Sequence, residues 1–133
     1  MRAPKAADRR AARVEYLMPQ GRGAARWARR LTRSFLAGRD GGPVEDAELV
    51  VSELVTNATR VPDSHCRMTL RLDAGELTVE VHDDSPGLPR LKYATETAES
   101  GRGIALVRAL AHHWSVEPHP RGGKTVRAVF APS

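Results

Sequence analysis

Two runs of alternating residues, placed back to back, constrain this chain most. Met68, Leu70 and Leu72 alternate with Arg67, Thr69 and Arg71, and Leu77, Val79 and Val81 alternate with Glu76, Thr78 and Glu80. Successive side chains of a strand point to opposite sides, so each run has one apolar and one polar face. Ala74-Gly75 separates them, which predicts an antiparallel hairpin. A hairpin with a single apolar face must be covered by something else, and the rest of the sequence supplies helices.

The pattern from Ala24 to Ala37 is helical. Trp27, Leu31 and Phe35 recur at i, i+4 and i+8 with Ala24 and Ala28 beside them, which makes them the expected core stripe. Arg22, Arg26, Arg29, Arg30 and Arg33 fall on the opposite side. A second helix is expected from about Val44 to Arg60. Its first turn is acidic, which suits the positive end of a helix, and Pro62 follows its end. Its stripe is Ala47, Val51, Leu54, Val55 and Ala58. Val14 to Met18 form a short strand before the helices. After a polar stretch at 84–100, Ile104, Val107, Ala111 and Trp114 mark a third helix. A last hairpin runs through Ser115–Glu117 and back through Val126, Ala128 and Phe130. Strands and helices mix without regular alternation. That order predicts an α+β fold, a two-layer sandwich of a mostly antiparallel mixed sheet with helices on one face.

At 133 residues the chain is long enough for one domain with a core of its own. Residues 12–133 are expected to form it, preceded by a disordered basic tail at 1–11. One cysteine, Cys66, excludes an internal disulfide and a cysteine-rich zinc site. His112 and His113 are adjacent and share no helical face, which weighs against a metal site there. No apolar run approaches the roughly 20 residues a membrane span needs, and no apolar stretch follows the basic N-terminus as in a secretory signal. A cytoplasmic protein is expected. Charge is uneven: residues 1–33 carry ten Lys/Arg against two Asp/Glu, and the remainder eleven against fourteen. A small basic nucleic-acid-binding domain using the arginine-faced helix is the reading from another class. A solvated helix face beside a disordered tail explains the charge better, and aromatic residues for base stacking are few.

Three segments carry candidate chemistry. Glu53 and Asn57 are four apart on a helix and share a face, with Arg60 near them on the wheel. A carboxylate can polarise a hydroxyl, and an amide oxygen is a hard ligand suited to Mg²⁺. Taken alone, the pair is better explained as an ordinary exposed helix face. Asp83 ends an alternating strand, and Ser85-Pro86-Gly87 breaks it. A carboxylate there can accept the exocyclic amine of adenine or simply cap a turn. Gly101-Arg102-Gly103 opens a helix, where backbone amides bind phosphate. Gly123-Lys124-Thr125 is not a phosphate loop, because Pro118 stands where the first glycine belongs and an alternating strand follows.

In this order, Glu48-Leu-Val-Val-Ser-Glu-Leu-Val-Thr-Asn-Ala58, Asp83-Asp-Ser-Pro-Gly87, Ser100-Gly-Arg-Gly-Ile-Ala-Leu-Val107 and Gly123-Lys-Thr-Val126 resemble the GHKL superfamily of ATP-binding domains. Within it they resemble the anti-sigma-factor serine kinases and small ATP-binding regulators of actinobacteria. The resemblance spans about Val14 to Phe130. It implies a Bergerat, or histidine-kinase-like, fold that binds ATP and Mg²⁺. Glu53 would be the general base and Asn57 the magnesium ligand. Asp83 would read adenine with Gly87 in the same box, and residues 88–100 would form a lid. Gly101, Arg102 and Gly103 would hold phosphates, Arg60 would belong to the ATP-binding set, and Thr125 would close the pocket. Arg102 or Lys124 would offset phosphate charge. The implied activity is phosphorylation of a STAS-type anti-anti-sigma factor, sequestration of a sigma factor, or both, with a homodimer suggested. A non-catalytic module in which ATP only sets partner affinity is the alternative. Two departures stand out. Ser85 replaces the first glycine of the family's Asp-x-Gly-x-Gly box, and Val61 replaces a histidine often found four residues after the asparagine.

Overall fold

The computed structural model describes residues 11–39, 44–60, 64–84 and 106–132. The elements are β1 (Ala12–Met18), α1 (Ala24–Leu36), α2 (Val44–Ala58), β2 (Cys66–Asp73), β3 (Glu76–Asp83), β4 (His113–Pro118) and β5 (Lys124–Phe130). Residues 106–110 are also helical. Residues 1–10 and 85–105, which include Gly87, the expected lid at 88–100 and Gly101-Arg-Gly103, lie outside the described residues. Among the described residues no helix is long and apolar enough to cross a membrane.

The strands form one sheet in the order β1-β2-β3-β5-β4. The hairpin read from the alternation is present, with Leu70 opposite Val79 and Leu72 opposite Leu77. Ala74 takes a positive φ of 53° and Gly75 one of 84°, the left-handed geometry of a tight hairpin turn. A mostly antiparallel mixed sheet was expected. Every pairing among the described residues is antiparallel.

One face of the sheet is apolar. It presents Met68, Leu70, Leu72, Leu77, Val79, Val81, Val126, Ala128 and Phe130, all buried. Both helices pack on that face, α1 toward β1 and β2, and α2 toward β3, β2 and β5. Between them they bury Ala24 and Ala28 of α1 and Ala47, Val50, Val51 and Val55 of α2. Two polar contacts fix their relative position. Arg29 Nη1 donates to Ser52 Oγ at 2.8 Å, and Arg33 pairs with Glu48 at 2.7 Å. The other face of the sheet is polar. It carries ion pairs between Arg67 and Glu15 and between Arg127 and Glu80, each 2.7 Å. No described element covers it.

Two tryptophans differ from the sequence expectation. In α1 the buried stripe is Ala24, Ala28, Thr32, Phe35 and Leu36, one step round the wheel from the Trp27-Leu31-Phe35 row. Trp27 is 45% exposed, with the Arg30 guanidinium 5.9 Å from its ring centre. Trp27 stands on the flank of α1 away from Arg29 and Arg33, the residues that reach α2. Buried Thr32 is tolerated because its hydroxyl donates to the Ala28 carbonyl at 2.8 Å. Trp114 is not the end of the third helix. It lies in β4 opposite Ala128 of β5, packed against the core. An aromatic residue suits a half-buried strand as well as a helix, so its type could not decide.

Candidate functional site at one end of the sheet

Several elements meet at one end of the sheet. β3 finishes there with Asp83, which is paired with Cys66 at the start of β2 and with Lys124 at the start of β5. Lys124 in turn pairs with Pro118 at the end of β4. Helix α2 finishes there too, because only a short connection leads from Ala58 to Cys66. Asn57, in the last turn of α2, and Arg60, just past it, are therefore carried to the same end of the sheet as Asp83.

The wheel of α2 assigns its flanks. Glu48 and Ser52 hold α1. Glu53 and Asn57 lie on the opposite flank, away from α1, and both are half-buried. Their spacing of four places one above the other. Arg60 is exposed. This flank offers a carboxylate and an amide in partial contact with solvent.

At the end of β3 the side chains divide by the pleat. Asp83 faces the helix layer and is 4% exposed, and Lys124 beside it is 5% exposed. Lys124 Nζ donates to Asp83 Oδ2 at 2.7 Å. Burial of both charges is tolerable only because they meet. The Cys66 thiol, on the other side of Asp83, is pushed up to about 12 by its burial first and by the Asp83 charge second. It is neutral at pH 7.

Gly123 makes this approach of β5 to β3 possible. Its φ is +87°, and a Cβ there would come within 2.5 Å of the Asp83 carbonyl oxygen. Gly122, with φ +103°, completes the turn from β4, closed by the Gly122 amide donating to the His119 carbonyl at 3.0 Å.

Thr125 is not in this group. It pairs with His82 across the ladder, one rung from Asp83, and so points to the polar face. There its hydroxyl lies 2.6 Å from His82 Nδ1 and 2.9 Å from His119 Nε2. The expectation that Thr125 closes a pocket with Asp83 is corrected by strand alternation: the residue sharing the Asp83 face is Lys124. The Lys124 ammonium directs one donor at Asp83 Oδ2. His82 and His119 were not singled out from the sequence. Alternation along β3 signals that His82 opposes the core face, but nothing in the sequence shows that His119 returns to meet it.

Burial lowers the His82 pKa, and the nearby Arg67 charge and His119 lower it further, against Glu80 and Glu15. A cavity of about 160 Å³ opens beside these rings, lined by Leu17, His65, Arg67, His82, Asp83, Asp84, His119 and Gly122. At its rim Asp84 Oδ1 accepts from the His65 amide at 2.8 Å and from Ser64 Oγ at 3.1 Å. His65 Nδ1 lies 2.9 Å from Asp84 Oδ2. The contacts from His65, side chain first, hold the Asp84 carboxyl below the usual carboxylate range.

The sequence matches the family of histidine kinase-like ATPase domains over residues 11–130, and the chain belongs to that family. None of the curated proteins matches it. Among solved structures, it is similar to the crystal structure of the RsbU and RsbW domains of Rv1364c from Mycobacterium tuberculosis. The TM-score is 0.68 at 20% identity, over 91% of this chain and 32% of that one. The chain thus spans about a third of that protein, and at this identity the likeness is one of fold.

Proposed function

We propose that this protein binds Mg-ATP at the end of the sheet where α2, β3 and β5 meet, and that it transfers the terminal phosphoryl group to a serine of a STAS-type anti-anti-sigma factor while sequestering a sigma factor. Membership in an ATPase-domain family supports the ATP half of this reading. One observation supports the place of the site. Asp83, buried at the strand end, lies on the same side and at the same end of the sheet as the Glu53–Asn57 flank of α2.

Each residue then has a role that its chemistry permits. Asp83 accepts a hydrogen bond from the base. Asn57 offers a hard amide oxygen, half in solvent, which fits a Mg²⁺ ion that keeps several waters. When bound, the ion would neutralise phosphate charge. Glu53, one turn before Asn57, is on the same half-buried strip and takes the proton of the incoming serine hydroxyl. Phosphoryl transfer depends on positioning and charge neutralisation more than on covalent chemistry by the protein. The glycines at 101 and 103 and Arg102 complete the phosphate side in this proposal, and Gly87 the base side.

The partner reading is tested with labelled ATP and purified STAS proteins. Wild type is expected to label a serine of one of them. Glu53→Ala is expected to bind Mg-ATP with unchanged affinity and to lose transfer by about 10²-fold or more, the usual scale of general-base catalysis. An unchanged transfer rate in the variant would remove Glu53 from its role. ATP binding without transfer to any candidate would instead favour a module that uses ATP only to set partner affinity.

A further inference from the structure

The Asp83–Lys124 pair is more than the aspartate that the sequence suggested. It presents an acceptor and a cationic donor in direct contact, 2.7 Å apart, on the helix side of the sheet. The spacing is fixed from the backbone. The two residues are ladder partners, and Gly123 lets their strands approach as no other residue could. Buried ion pairs of this kind add little stability over well-packed apolar residues, so fold stability alone does not account for a lysine here. An ammonium has three donors, of which one is directed at Oδ2.

The Watson–Crick edge of adenine carries the complementary pattern: the exocyclic amine is a donor and the adjacent ring N1 an acceptor. Building on the nucleotide reading above, we propose that Lys124 is a base-reading residue, donating to N1 of the purine while Asp83 accepts from the exocyclic amine. A carboxylate alone would read one group. The pair reads two neighbouring groups of opposite sense. A 6-keto purine presents the reverse order in the same register, with an oxygen toward Asp83 and an N–H toward Lys124, so the pair repels it at both positions. The neutral Cys66 thiol beside Asp83 marks this corner as poorly solvated, where an unmatched hydrogen-bonding group is costly.

The test is a calorimetric titration with Mg-ATP, Mg-1-deaza-ATP (N1 replaced by CH) and Mg-ITP, on wild type and on Lys124→Met. Wild type is expected to bind 1-deaza-ATP and ITP each about tenfold or more weaker than ATP, the value of one charge-assisted hydrogen bond. Lys124→Met is expected to bind ATP and 1-deaza-ATP alike. Wild type with an ATP to 1-deaza-ATP ratio nearer one than ten overturns the proposal, as does a variant that keeps the wild-type preference. The wild-type titrations decide the matter even if the variant does not fold. Wild type that binds ATP but ignores N1 leaves the nucleotide site standing and removes Lys124 from it. Wild type that binds none of the three overturns both readings.

Discussion

Two adjacent rungs of the β3–β5 ladder behave as different environments. Asp83 and Lys124 face the helices, dry and charged. His82 and Thr125, one residue along each strand, face the polar side and join His119 in a chain of shared hydrogen bonds. The same backbone carries both. What differs is the partner: Asp83 and Lys124 meet as an ion pair, whereas Thr125, equally buried, meets two imidazoles. Function, on this account, belongs to the dry rung.

The largest expected effect comes from breaking the dry rung. Lys124→Met leaves Asp83 buried without its counter-charge and is expected to lower stability by about 3–5 kcal/mol. Adding Asp83→Leu to it should recover most of that loss, because two apolar residues can replace a buried pair. Urea denaturation of the single and double variants measures both. A Lys124→Met protein as stable as wild type would mean that the pair is more hydrated than its burial indicates.

Breaking the His82–Thr125 rung should matter less. Thr125→Val removes the hydroxyl between two half-buried rings and is expected to cost about 1 kcal/mol, the net value of an ordinary hydrogen bond. Its Mg-ATP affinity should equal that of wild type, since the side chain is on the far face from Asp83. A fall in ATP affinity without a fall in stability would return Thr125 to the site.

The smallest effect is one of pH. His82 has a folded pKa below its ordinary 6.5, so the unfolded chain binds the extra proton more readily. The corresponding stability is fully present above about pH 6.5. It is lost as pH falls from there through the folded value. Thermal melts at pH 7.5 and 5.5 should show a drop on acidification that is smaller in His82→Asn. A drop of the same size in both proteins would assign the dependence elsewhere.

Much of the architecture was legible in residue periodicity. The β2–β3 hairpin, both helices and the final hairpin fall close to where the patterns put them, because one-faced alternation and helical stripes are direct records of burial. The misplacements share a cause. Trp27 and Trp114 are large apolar residues whose type says nothing about which neighbour receives them. Lys124 and Thr125 are adjacent in a strand, and assigning either to a pocket requires the register with β3. A one-residue slip exchanges the faces. The positive-φ turn at Gly122 and Gly123 sets that register, and the Asp83 backbone against which Gly123 packs is 40 residues distant in sequence.

Calorimetric titration of Mg-ATP into wild type and Asp83→Asn tests the central claim most directly. The account predicts saturable binding by wild type and an affinity at least about tenfold lower in the variant, because a neutral amide replaces a charged acceptor. Equal affinity in the two proteins, or no binding by wild type, would contradict a nucleotide site built on Asp83.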